Sequence, residues 1–592
     1  MVTGRHNNKK IRWFYLPIFT IFISCLASAQ SSIPADIAER QIQRERQLQE
    51  YLEQKRRSQE PEVRVDPKQF SLPSVAIPEN ESPCFVIDRI DLSGDRSDDF
   101  AWALEKVLFP VDEGDPSVAV VNGAAEKSAL LGRCYGAQGI NIIMRRLQNE
   151  VIKRGYITTR IVAGPQKLKT GVLALTLVPG RISSIRFSGD NHPAKTALSV
   201  TKGELLNLRD IEQSLENLKS LSSVATDIQI VPSEGEQAQP GDSDLLIVWS
   251  QGRPWKILLS ADDSGTEATG VYVGNLSLAY ENLFGLNDIL TLGVGQEIGG
   301  ADSDDAGFDS YSLGYRLPIK NWQLALSAGN YDYLQTIGGA VQSFDYSGES
   351  QTASLDLSRL VYRNSTRKIT AGMNLWSRRS SSFIEDVEVQ NQRRQTAGVD
   401  TGVYYREFID SAVINASFVY SRGLDILGAE PAPEEGAING GTARPTILKT
   451  SLQLSTPFKI GYQRFQYTGQ WRHQQNRDRL VTPDYFSIGN RYTVRGYNGE
   501  ATVSGERGWV IKNDFTIIRE DGPNTMYLGI DYGRVGGVLT QPDVQWLGGG
   551  VIGWRGSLGS LSYDFSVAWP IRQRKQLDAE IHITQFAFNW QF

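Results

Sequence analysis

From Trp255 to Phe592 the chain is written in segments of about ten residues in which apolar and polar side chains alternate, separated by turns rich in Gly, Asn, Asp and Ser. A period of two marks a strand with two unlike faces. In 561–569, Leu561, Tyr563, Phe565, Val567 and Trp569 share a face opposite Ser562, Asp564, Ser566 and Ala568. Segments 321–328 and 410–420 repeat the pattern, and the last one places Phe586, Phe588, Trp590 and Phe592 on one face. Strands of a soluble sandwich also alternate, but this density of terminal aromatics suits a face that meets lipid and its interfaces. Turn-bounded segments number about sixteen, an even count as single-chain outer-membrane barrels require. Short turns (Leu317 to Asn321, Phe458 to Tyr462) alternate with long loops (377–395, 422–445 and 474–506). The expected fold is therefore an all-β transmembrane barrel of antiparallel strands over 254–592.

The rest of the composition fits that reading. Beyond the first thirty residues no apolar run is long enough for a spanning helix, and mean hydropathy is −0.31. Residues 1–29 read as a signal peptide, with Arg5, Lys9, Lys10 and Arg12 before the apolar Trp13 to Leu26 and Ala27-Ser28-Ala29 as the cleavage site. A lipoprotein signal using Cys25 is the competing reading, and Ile23-Ser24 do not suit it. Its removal takes four positive charges and no acid, which moves the net charge from −6 to −10, so no nucleic-acid partner is expected. Cys84 and Cys134 then remain, and two cysteines in an exported chain read as one disulfide. No phosphate-binding GxxxxGK[ST] loop and no GxSxG elbow occur, and the four histidines (6, 192, 473 and 582) are scattered. No catalytic residue, metal or cofactor is expected.

Ahead of the barrel the chain changes character three times. Residues 30–57 form a helix rich in Glu, Gln and Arg, with only a thin apolar stripe. Such a helix lies in solvent or in a polar cavity, and a barrel lumen is one. Residues 58–81 carry Pro61, Pro67, Pro73 and Pro78 and read as a linker. Residues 82–180 and 181–253 read as two tandem α+β units. In the first, Phe85 to Leu92, Thr158 to Val162 and Val172 to Val178 are strands, and Ile140, Ile143, Leu147 and Val151 mark a helix closed by Gly155. In the second, Asn207 caps a helix with apolar Leu208, Ile211, Leu215 and Leu218, between strands at 181–187, 226–231 and 245–249. Units of this kind can offer a sheet edge to an extended guest strand.

The long loop 474–506 contains Val494-Arg495-Gly496-Tyr497, and a strand beyond it reads Gly529-Ile530-Asp531-Tyr532-Gly533. If Leu528, Ile530 and Tyr532 meet lipid, then Gly529, Asp531 and Gly533 face the lumen. A loop folded inward would bring Arg495 to Asp531. Gly496 would allow the tip to turn and Tyr497 would pack on the wall.

These motifs, in this order, resemble the outer-membrane transporters of two-partner secretion, the haemolysin-activator and filamentous-haemagglutinin transporter family. The likeness spans plug helix, linker, two POTRA domains and a sixteen-stranded barrel. It is also carried by Gly155-Tyr156-Ile157-Thr158-Thr159-Arg160 with Gln166-Lys167-Leu168 and Gly171, and by Pro83-Cys84-Phe85 with Cys134. The resemblance implies export of one large exoprotein that docks unfolded on the POTRA domains, passes the barrel and folds outside without nucleotide. It implies outer-membrane lipid and the barrel-assembly machinery as further partners. Leu208, Ile211, Leu215 and Leu218 are the expected wall of the docking groove. The alternative is an insertase of the same superfamily, which usually carries more POTRA units and no plug helix. A porin or surface receptor would not need such units.

Overall fold

The computed structural model describes residues 33–592, apart from 74, 109–129, 190–194, 235, 237, 304–305, 339–341, 439, 501, 520–521, 538–544 and 573–579. The signal peptide expected over 1–29 lies outside the described residues.

Sixteen long antiparallel strands close into a barrel, from Trp255–Asp262 to Ile583–Gln591, with the last paired to the first from Asp262↔Ala587 to Leu258↔Gln591. Closure satisfies every strand edge, the condition for backbone to cross a bilayer. Along the middle of the strands, outward side chains are mostly apolar and open. On the thirteenth strand, Thr525–Gly536, Leu528 and Ile530 are 46% and 51% exposed, while the intervening Asp531 is 1% exposed. Among the described residues no helix is long and apolar enough to cross a membrane.

The loop expected over 377–395 is shorter than the sequence suggested. The seventh strand runs Arg367–Ile384 and the eighth starts at Arg394. The fifth, sixth and seventh strands have 17, 21 and 18 residues, well beyond the 9–11 that span a bilayer. Their outer ends leave lipid, the apolar face disappears, and Arg378-Arg379-Ser380-Ser381-Ser382 reads as loop although it is paired.

The first α+β unit has a sheet of Arg89–Ser93, Val172–Val178 and Arg160–Val162, covered by helix Ala137–Lys153. Ile140, Ile143, Leu147 and Val151 form its core with Leu173, Leu175 and Leu177. The strand expected over 85–92 is broken at Asp88. Phe85–Ile87 instead pairs with Arg133–Tyr135, where Val86 lies opposite Cys134, and Cys84 is bonded to Cys134. The second unit has a sheet ordered Ile182–Ser188, Ser243–Gln251, Val224–Pro232, packed on helix Leu208–Lys219. Asn207 caps that helix by accepting from the Arg209 N–H.

Helix Ile33–Ser58 lies inside the barrel. It touches inward groups of three walls: Gln41 bonds the Tyr331 hydroxyl, Glu50 accepts from Lys449, and Arg57 stacks over Tyr404. The linker then runs along the second-unit helix, with Val63 and Val65 N–H donating to Glu216 and Glu212, before Leu72 pairs with Asn149 of the first unit.

Candidate functional site in the barrel lumen

Three neighbouring strands build the seat: Arg507–Ile518, Thr525–Gly536 and Gln545–Leu558. Register places their inward residues in rows. Asp514, Gly529 and Val551 form one row, Lys512, Asp531 and Gly549 the next, and Val510, Gly533 and Leu547 the third. Gly529, Gly533 and Gly549 surround Asp531 in this patch, so the wall around that carboxylate is a shallow trough. A Cβ at Gly529 would stand 2.5 Å from Arg495 Nη2, and one at Gly549 would stand 1.6 Å from the Arg495 carbonyl oxygen.

The loop between the eleventh and twelfth strands folds into this trough. Its arms, Phe486–Ile488 and Val503–Gly505, pair with each other. Between them Thr493 tightens a turn: its hydroxyl accepts from the N–H of Gly489 and donates to Asn490 Oδ1. Val494 and Tyr497 are buried with Ile488, Val503, Val510, Val535 and Leu547. Gly496 has φ +99°, and its α-carbon faces the Trp569 backbone so closely that a Cβ would meet it at 2.5 Å. The Tyr497 hydroxyl donates to the Arg572 carbonyl at 2.8 Å.

Arg495 and Asp531 meet as the sequence expected. Arg495 Nε donates to Asp531 Oδ2 at 2.6 Å and Nη2 to Oδ1 at 2.7 Å, while the Arg495 backbone N–H also reaches Oδ2 at 3.1 Å. This is the two-pronged geometry that arginine makes and lysine cannot. Sequence reasoning missed a second carboxylate, Asp514, which accepts from Nη2 at 2.7 Å. It also missed Lys512, whose ammonium bonds the Arg491 carbonyl, and Gly549. The run Gly548-Gly549-Gly550 inside a strand was the available signal, because glycine there marks close backbone approach.

The lumen helix holds the same loop from the other side. Gln47 donates to the Ser487 carbonyl and accepts from Asn490, Arg44 donates to the Gly499 carbonyl, and Arg46 bonds Pro483 O and Asp484. All of these contacts are polar.

The four residues expected to line a docking groove do not. Leu208, Ile211, Leu215 and Leu218 are 0–7% exposed, and three of them sit in the second unit's core. Their helical spacing showed a buried face but not what covers it. The opposite face is also covered: Glu212, Gln213 and Glu216 are bonded by Arg363 at the base of the barrel. Burial pushes the Glu216 carboxyl up, but Lys368 and Arg363 outweigh it and hold its pKa below the ordinary value.

The chain matches three family models: "Haemolysin secretion/activation protein ShlB/FhaC/HecB" over 241–556, "POTRA domain, ShlB-type" over 122–180 and "POTRA domain" over 181–232. It is 32% identical over 582 residues to outer membrane transporter CdiB-2 of Burkholderia pseudomallei, covering 95% of this chain and 96% of that one. It is 24% identical to hemolysin transporter protein ShlB of Serratia marcescens, covering 77% and 78%. Among solved structures, CdiB from Acinetobacter baumannii superposes with a TM-score of 0.79 at 28% identity, covering 93% of this chain and 99% of that one. A closed sixteen-stranded barrel behind two POTRA domains, with these matches along its length, places the chain in the haemolysin secretion/activation family of ShlB, FhaC and HecB, a family of outer-membrane transporters.

Proposed function

We propose that the protein is the export pore for one large exoprotein, which docks unfolded on the POTRA domains, threads the barrel and folds at the cell surface without nucleotide. The observation that carries this reading is how the lumen is filled. The plug helix is held by hydrogen bonds and ion pairs to loop and wall. Such bonds exchange for bonds to water at small net cost, about 0.5–1.5 kcal/mol each, whereas an apolar plug would have to expose its packed surface. A helix with its side chains is about 10–12 Å across, so the space it vacates admits an extended chain. Arg495 and Asp531 hold the loop to one wall while the helix leaves.

Docking on the second POTRA domain uses its free edge rather than its helix. Among the described residues Val224–Pro232 pairs only with Ser243–Gln251, so one side of it can accept a guest strand. The apolar outer wall takes membrane lipid, and insertion relies on the barrel-assembly machinery. An insertase of the same superfamily is the weaker reading, because a lumen plugged by a helix on a linker serves a pore rather than a wall that hands strands to lipid. Expressing a candidate exoprotein partner with the protein, and without it, tests the reading. Exoprotein should appear in the medium only when both are present, and equal release without the transporter refutes export.

A further inference from the structure

The outer wall carries a cationic patch that the pore does not use. Arg507, Arg534 and Arg572 stand on the outward face of the twelfth, thirteenth and fifteenth strands, and all three are exposed. The first strand leaves the second POTRA domain from the periplasmic side. The start of the twelfth strand and the ends of the thirteenth and fifteenth therefore lie at the extracellular rim. Register draws them together: Arg507 is opposite Gly536, Arg534 lies between Trp509 and Trp546, and Arg572 is opposite Gly548, itself opposite Tyr532.

Aromatic rings form the floor between them. Trp509, Tyr532 and Trp546 have centroids 5.4–6.1 Å apart. The Arg534 guanidinium lies 4.8 Å from the Trp546 ring centre, and Arg572 Nη1 donates to the Tyr532 hydroxyl at 2.8 Å. Among the described residues none of the three arginines has an ion-pair partner. That contrasts with Arg422 on the same rim, which faces Asp478. Tryptophan and tyrosine at this level place the patch in the headgroup layer of the outer leaflet. Planar guanidiniums fixed on rings, with donors left open, match a phosphate.

We propose that this rim binds a phosphorylated glycolipid of the outer leaflet, its phosphates on Arg507, Arg534 and Arg572 and its acyl chains along the apolar wall below. Charge complementarity selects that occupant over a zwitterionic lipid, and the lipid-facing side of the barrel selects it over a soluble anion. Trp509 and Trp546 would report its arrival.

The full-length protein in phosphatidylcholine nanodiscs is titrated with bisphosphorylated lipid A and with its dephosphorylated form, and tryptophan fluorescence is followed. The wild type should respond to the bisphosphorylated lipid at a concentration at least tenfold below that needed for the dephosphorylated one. Arg534→Gln with Arg572→Gln should remove that preference while heat-modifiability on gels shows an intact barrel. Arg379→Gln, an exposed arginine on a distant strand, should keep it. Equal responses to the two lipids, or an unchanged preference in the double variant, overturns the site. If millimolar inorganic phosphate produces the same fluorescence change, the assignment to lipid is overturned.

Discussion

The carbonyl oxygen of Arg495 occupies the place that a side chain at Gly549 would need: a Cβ there would lie 1.6 Å from it. Gly549 is paired across the sheet with Asp531, so the residue that receives the loop backbone stands beside the residue that receives its charge. Gly549→Ala should therefore unseat the loop while leaving every strand bond in place. Export should drop steeply with normal amounts of folded barrel in the membrane. Gly314→Ala, whose Cβ would find nothing nearer than 3.8 Å, should export normally. If the two variants behave alike, close approach at Gly549 does not matter.

The two carboxylates around Arg495 should differ in weight. Asp531 takes three of its bonds and Asp514 one. Removing Asp531 leaves the buried guanidinium with only the single bond to Asp514, a loss approaching the roughly 3–5 kcal/mol of a broken buried pair. Asp514→Asn keeps an acceptor and should cost about 1 kcal/mol, within the range of a single hydrogen bond. Limited proteolysis of the 474–506 loop in intact cells should show Asp531→Ala cut readily and Asp514→Asn nearly protected. The reverse order would contradict the geometry.

Deleting 33–58 should open the lumen. Single-channel conductance in planar bilayers should rise several-fold, with less effect on export. Gln47→Ala, which loses bonds to Ser487 and Asn490, should raise the frequency of brief openings without changing their size. Unchanged conductance on deletion removes the plug from the account.

The contact between the second POTRA domain and the barrel should withstand mild acid. The Glu216 carboxyl has a lowered pKa in the folded protein. Its stabilisation is fully present above the ordinary value of about 4.5 and is lost as pH falls through the lowered one. Thermal unfolding in detergent should be flat in this contribution from pH 5 to 8 and should weaken below about 4.5. Glu216→Gln should lose part of that acid dependence, and an identical profile would show that the carboxylate is not ion-paired.

Reduction should loosen the first POTRA domain. Cys84 and Cys134 are 50 residues apart, a loop whose closure is worth about 4 kcal/mol in the chain-entropy model. Dithiothreitol should lower the melting temperature of the isolated domain by many degrees, and no shift would deny the bond a stabilising role.

How much of this was legible in the chain varied with the physics involved. Alternation put Asp531 on the inner wall, and one loop arginine with a glycine after it pointed to the partner. Asp514 was out of reach because register between strands is not written locally, and a slip of one residue turns every side chain to the other face. Periodicity over 208–219 identifies the helix and Asn207 its cap, yet the apolar stripe is core and not the wall of a groove. A period of 3.6 reports that one face is covered, not by what. The strand ends at 377–384 were lost for the complementary reason, since a paired strand above the membrane keeps its hydrogen bonds but no longer needs an apolar face.

The central claim is that export depends on a loop fixed by one ion pair in a barrel that does not itself need that pair. The direct measurement is exoprotein in the medium per folded, heat-modifiable transporter in the outer membrane, for Arg495→Ala, Asp531→Ala and the exchange Arg495→Asp with Asp531→Arg. Both single variants should insert normally and lose most export, and the exchange should recover part of it. Full export by both alanine variants would contradict the account and leave Arg495 an ordinary loop residue.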